Sequence, residues 1–138
     1  MVQLTDEDIM FTDEDVVVVI PDLEPLKRAV LGGNYNKDMG AQRWDGMILF
    51  AHQETADTIY NKTKIEWTEI ENKSDLKKAI VFNFISNVYA AVPNRTAETI
   101  AASKWYGSKY NNFMVDFVPI VQNISREAGI TGYVIVQG

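Results

Sequence analysis

Two copies of the tetrapeptide TDED, at residues 5–8 and 12–15, place six carboxylates within eleven positions near the start of the chain. Carboxylates at alternate positions can hold a divalent cation when a glycine makes the sharp bend and a bidentate Glu closes the loop. TDEDIMFTDED contains no glycine, and Ile9, Met10 and Phe11 fall where ligands would be needed. The repeat reads instead as two helix starts, each a threonine cap followed by acids that complement the helix dipole. His52 is the only histidine. With Glu54 or Asp57 it has the residue types for general-base work, but no second histidine completes a metal set. We read it as a partly buried structural histidine. Ser74, Ser86, Ser103, Ser108 and Ser125 all lie outside a G-x-S-x-G context. Gly32-Gly33 lacks the preceding strand and the lysine of a phosphate-binding loop. There are no cysteines, hence no disulfides, thiolate metal sites or cysteine nucleophiles. No catalytic residue, structural metal or cofactor is expected.

Trp105, Tyr106 and Tyr110, interleaved with Lys104 and Lys109, superficially match the aromatic-plus-basic pattern of single-strand nucleic-acid binding. Adjacent residues cannot both face one side of a helix, so core packing for one of Trp105 and Tyr106 and subunit contact for the other is the more economical reading. The formal net charge of −6 points the same way, because an acidic surface repels the phosphate backbone. It also suits a protein past which DNA must move without being gripped.

The elements that would position these groups follow from periodicity and caps. Residues 12–20 read as a short helix, capped by Thr12 and stopped by Pro21, although the run Val16 to Val19 has strand propensity. Leu23 to Leu31 forms a second, with Pro25 in its first turn and Gly32-Gly33 at its exit. NYNKDMG is a polar connection. Trp44, Ile48, Ala51, Thr55 and Ile59 share one face of a helix over residues 41–61. TKIEWTEI suits a short extended segment or tight loop. Asp75 opens a helix that ends before Pro93 and is apolar around most of its circumference, with Phe84, Ile80 and Val88 among its deepest residues, so it belongs at the centre of the core. Residues 97–124 form the last long helix, with Ile100 or Ala101, Trp105, Lys109, Phe113, Phe117 and Ile120 as its stripe and Pro119 kinking or breaking it near its end. Tyr133-Val134-Ile135-Val136 reads as a terminal strand.

At 138 residues the chain is expected to be one domain. It divides into an N-terminal arm with short helices (1–40), a core bundle (41–124) and a C-terminal tail (125–138). The fold class is mainly α: a small helical bundle of about three long helices plus short N-terminal ones, with an extended tail strand. No apolar run approaches a membrane span, and no signal sequence opens the chain.

The order of parts resembles a known family. A short acid-capped start precedes a Trp-bearing helix and a loop with an isolated tryptophan (IEWTEI). Then come LKKAIVFNFISNVYAAV, a long helix carrying KWYGSKYNNF, and a short tail. Over roughly residues 41–118 this is similar to the small helical head-tail adaptor (head-completion, connector) proteins of tailed bacteriophages. The resemblance implies a structural virion protein of the neck, made in the host cytoplasm, that catalyses nothing. Such proteins form a ring, of twelve subunits, beneath the portal protein, extend the DNA channel and present a platform to a stopper or tail protein; DNA passes without specific binding. Two other classes stay open on the residues alone: a soluble regulatory or scaffolding module, and a small enzyme using His52. The expected partner-binding residues are Tyr133, Val134, Ile135 and Val136, because a lone strand exposes unpaired backbone groups and can join another edge. Its only internal candidate is Ile65 to Ile70, so residues 131–138 are expected to pair with another chain.

Overall fold

A computed structural model describes residues 1–122 and 134–136. Among them are five α-helices: α1 (Asp13–Val19), α2 (Leu23–Leu31), α3 (Asp38–Thr63), α4 (Lys77–Ala90) and α5 (Ala97–Asp116). Two short strands follow, β1 (Ile120–Gln122) and β2 (Val134–Val136). The fold is a small helical bundle, as the periodicity indicated.

The TDED repeats are helix starts. Asp8 reaches back to the Thr5 N–H at 2.8 Å, opening a single 3-10 turn, and Asp15 reaches the Thr12 N–H at 3.0 Å, opening α1. Each carboxylate satisfies a donor that a helix start leaves without an intrahelical partner. Helix therefore prevails over the strand propensity of the valine run, and Val16 is driven fully into the core. Gly32 closes α2 at φ +57°, a backbone region that glycine enters without steric cost.

α3 begins three residues earlier than expected, at Asp38, and takes in part of the polar connection. Gly40 lies in its first turns. A Cβ there would stand 1.9 Å from the Asn34 carbonyl oxygen, so only glycine lets the helix start this close to the preceding loop. The helix ends with Lys64 in the left-handed region at φ 62°, its N–H bonded to the Tyr60 carbonyl. In the IEWTEI loop, Trp67–Glu69 forms one 3-10 turn that buries Trp67. A further 3-10 turn, Lys73–Leu76, leads into α4.

α4 is the central helix. It meets α5 along its length and also touches α1, α2 and α3. Ile80, Phe84 and Ile85 have no exposed surface. The Trp44 ring stands edge-on to Phe84 at 5.1 Å, and Phe11 of the arm tilts onto the same ring at 5.7 Å. Such geometries contribute beyond the area they bury. At the α4–α5 seam Gly107 lies close to Ser86, whose Oγ would stand 3.1 Å from an added Cβ. Ser86 Oγ donates to the Ser103 carbonyl at 2.7 Å while Ser103 Oγ donates to the Ser86 carbonyl at 2.9 Å.

Three expectations are corrected here. The last helix stops at Asp116, not at residue 124. The proline bars its preceding residue from helical backbone, and the chain is already extended at Phe117. The buried face of α5 is Tyr110 and Met114, not the row through Trp105 and Lys109. Trp105 is 55 % exposed, while its neighbour Tyr106 packs against Phe82 and Tyr89. Finally, the tail strand has a partner in its own chain. β2 pairs with β1 in parallel, in the register Ile120 to Val134, Val121 to Ile135 and Gln122 to Val136. Breaking α5 before Pro119 is what frees Ile120–Gln122 to be that partner. Ile70, in the segment expected to be the internal candidate, instead bridges Val121 on the other side of β1.

Candidate functional site

His52 comes first, being the one residue with catalytic potential. It is fully buried. Its Nδ1 lies 2.8 Å from the Ile48 carbonyl and its Nε2 accepts the Met10 N–H at 3.0 Å. An acceptor at Nε2 and a carbonyl facing Nδ1 fix the neutral tautomer with the proton on Nδ1. Burial lowers its pKa below the ordinary value, partly offset by the bond to Ile48 and the charge of Asp8. Phe11 stacks on the imidazole at 5.2 Å.

Glu54 and Asp57 do not assemble with it. Positions two apart on an α-helix point about 200° from one another, and Glu54 faces α4. There it accepts from Asn83 Nδ2 at 3.2 Å and Asn87 Nδ2 at 2.8 Å. Asp57 accepts from Gln53. With both ring nitrogens engaged and no surface exposed, His52 is not placed to take a proton from a substrate. Among the described residues, no group of three or more His, Cys, Asp or Glu is placed to hold a metal ion. Nor is any helix among them long and apolar enough to cross a membrane.

What His52 does is hold the N-terminal arm against α3. Gln53 does the same one residue on. It accepts the Leu4 N–H through Oε1 at 2.8 Å and donates through Nε2 to the Val2 carbonyl at 3.1 Å, satisfying the arm backbone as a neighbouring strand would. The Val2 N–H bonds to Glu66. Leu4 and Phe11 are thereby buried. Gln53 carries no signal in the sequence that would have singled it out. A third tie joins three helices: Trp44 Nε1 and Lys27 Nζ, from α3 and α2, both bond to Asp13 at the start of α1, at 2.8 and 3.0 Å.

Two further features bear on partner binding. The first is the C-terminal strand. Of the four expected partner-binding residues, Val134, Ile135 and Val136 lie on β2, and Tyr133 lies outside the described residues. β1 sits between β2 and Ile70, with the Glu71 N–H bonded to the Ile120 carbonyl at 2.7 Å. β2 is the outer strand of a two-stranded sheet. Among the described residues nothing pairs with its far edge.

The second is the outer face of α5. Trp105 is capped by the Lys109 ammonium 4.5 Å from its ring centroid. The same ammonium lies 5.8 Å from the Phe82 ring, as does that of Lys78. The ion pairs among the described residues use Lys27, Lys77 and the N-terminus, and none uses Lys104 or Lys109. Compared with protein-family models, with curated proteins and with solved structures, the chain matches none.

Proposed function

We propose that the protein is a structural adaptor, a head-tail connector that forms a ring beneath a phage portal, extends the DNA channel and docks a stopper or tail protein. The observation that carries this reading is the far edge of β2, with which nothing among the described residues pairs, at the end of a closed helical core. An exposed strand edge offers an unpaired row of N–H and C=O groups, a ready template for a strand from another protein. A sheet of two three-residue strands is marginal in water, and a third strand from a neighbour would complete it. The engagement of His52, Glu54 and Asp57 in holding the fold together supports an assembly role over an enzymatic one. The net charge of −6 fits a channel wall that DNA slides past.

The test is co-sedimentation of the purified chain with a portal ring, with and without residues 131–138. The reading expects a stoichiometric complex with the full chain and a weakened one with the truncated chain. A full chain that stays free of portal at saturating concentration would overturn it.

A further inference from the structure

Trp105 is a large apolar side chain with no place in its own core, 55 % exposed on the outer face of α5. Lys109 lies against its ring, and Lys104 beside it is exposed. Together they make a convex, cationic, aromatic knob on a chain whose formal charge is −6. Elsewhere, where the N-terminal arm crosses α3, lies a groove of about 480 Å³. Its floor is Ile9, Met10 and Phe11, and its rim carries Asp6, Asp15 and Asp45. Asp15 is engaged by Lys77, but none of the ion pairs among the described residues uses Asp6 or Asp45.

We propose that the Trp105 knob of one copy seats in the Asp6–Asp45 groove of the next, the indole on the apolar floor and Lys104 and Lys109 against the acidic rim. The two surfaces share no residue, so the contact is heterologous: every copy offers one knob and one groove, and repetition closes a ring or extends a filament. Charge complementarity selects a second copy as the occupant. Tryptophan is enriched among the residues that dominate binding energy at interfaces. A nucleic acid fits less well, because the knob is a convex helix face, not a groove that tracks a backbone, and the rest of the surface repels phosphate. The inference rests on the ring reading above for the closure of the assembly, while the pairwise contact needs no portal.

Sedimentation velocity on the full chain tests it with two variants, Trp105→Ala/Lys109→Glu (knob) and Asp6→Lys/Asp45→Lys (groove). All four positions are exposed, and circular dichroism and melting serve to check that each variant folds. The wild type is expected to self-associate more strongly at low salt, and Trp105→Ala alone to weaken this at least about tenfold. Each double variant alone is expected to be monomeric. Their equimolar mixture should form a dimer and stop there, since only one intact knob and one intact groove remain. The proposal is overturned by a wild type that is monomeric at its highest soluble concentration. It is equally overturned by a mixture that stays monomeric while the wild type associates, or by lysines that bind a duplex or single-stranded DNA oligonucleotide while the chain stays monomeric. A chain that self-associates as described but ignores portal would refute the adaptor reading and leave the contact standing. Portal binding with a stoichiometry unchanged in the knob variant would do the reverse.

Discussion

The Met10 N–H donates to His52 Nε2 at 3.0 Å across 42 positions of sequence, so the arm is tied to α3 by a nitrogen that accepts only while the imidazole is neutral. Protonation would turn both ring nitrogens into donors and set Nε2–H against the Met10 N–H. Burial holds the folded-state pKa of His52 below the unfolded value of 6.5. The unfolded chain therefore takes up the proton first, and stability rises with pH in this window. The contribution is complete above 6.5 and is lost as pH falls below it, by up to about 1.4 kcal/mol per unit until the folded-state value is reached. Melting temperatures between about pH 7.5 and 5.5, a range in which few other side chains titrate, should fall on the acid side. In His52→Gln, which is less stable at every pH, that acid-side fall should be absent. A fall of the same size in both proteins would assign it to other groups.

Phe84 receives the edge of Trp44 on one side and Phe11 on another, with no exposed surface. Truncating it to Ala removes the ring that joins α3, α4 and the arm, and should cost about 3–5 kcal/mol. That is a large part of the stability of a small domain. Urea unfolding gives the number directly. A midpoint within error of the parent's would mean that the three rings do not form one cooperative core.

The parts of this fold that were legible in the sequence are those fixed by local chemistry. The capped acid repeats marked two helix starts, and Gly32 marked the exit of α2. The apolarity of residues 76–92 around most of the helix circumference identified the central helix. The face of α5 was misread because apolar residues lie all around it. The row through Trp105 and the row through Tyr106, Tyr110 and Met114 differ by one residue, and only packing against α4 separates them. The partner of the tail strand was not legible either. Three residues carry no measurable alternation, and a parallel pairing has no hairpin turn to announce it. His52 reads as a partly buried structural histidine and is fully buried; its acceptor role depends on a backbone amide far away in sequence, which periodicity cannot indicate.

Two glycines of α3 should respond in opposite directions. Gly46 has nothing within 4 Å of where its Cβ would be, so Gly46→Ala should stabilise by about 1 kcal/mol through helix propensity alone. At Gly40 the Cβ would sit 1.9 Å from the Asn34 carbonyl oxygen and 2.7 Å from its carbon. Gly40→Ala must displace backbone, and its loss should exceed the gain at Gly46. Thermal melts of the two variants beside the parent decide it. A stabilising Gly40→Ala would show that the start of α3 does not lie against the Asn34 carbonyl.

Removing residues 131–138 deletes β2 but should leave the bundle folded, because β1 has ties of its own. The Ile120 N–H bonds to Asn72 Oδ1 at 2.8 Å, and its carbonyl accepts the Glu71 N–H. Asn72 Nδ2 also donates to the Val118 carbonyl, and Val121 is buried beside Ile70. The anchor of the strand region is thus the loop before α4, and β2 is an addition to it. The melting temperature should drop by less than about 4 °C, the shift expected for roughly 1 kcal/mol in a chain of this size. Hydrogen exchange orders the elements further. In the intact, isolated chain the amides of β2 should be protected, since it pairs with β1, but less than those of α4, since an outer strand of three residues opens without disturbing the core. Amides of residues 134–136 exchanging at the rate of an unstructured peptide would mean that the pairing forms only in an assembly. Loss of the helical signal on truncation would mean that β2 helps hold the bundle itself, and the division between a closed core and an edge open for docking would have to be abandoned.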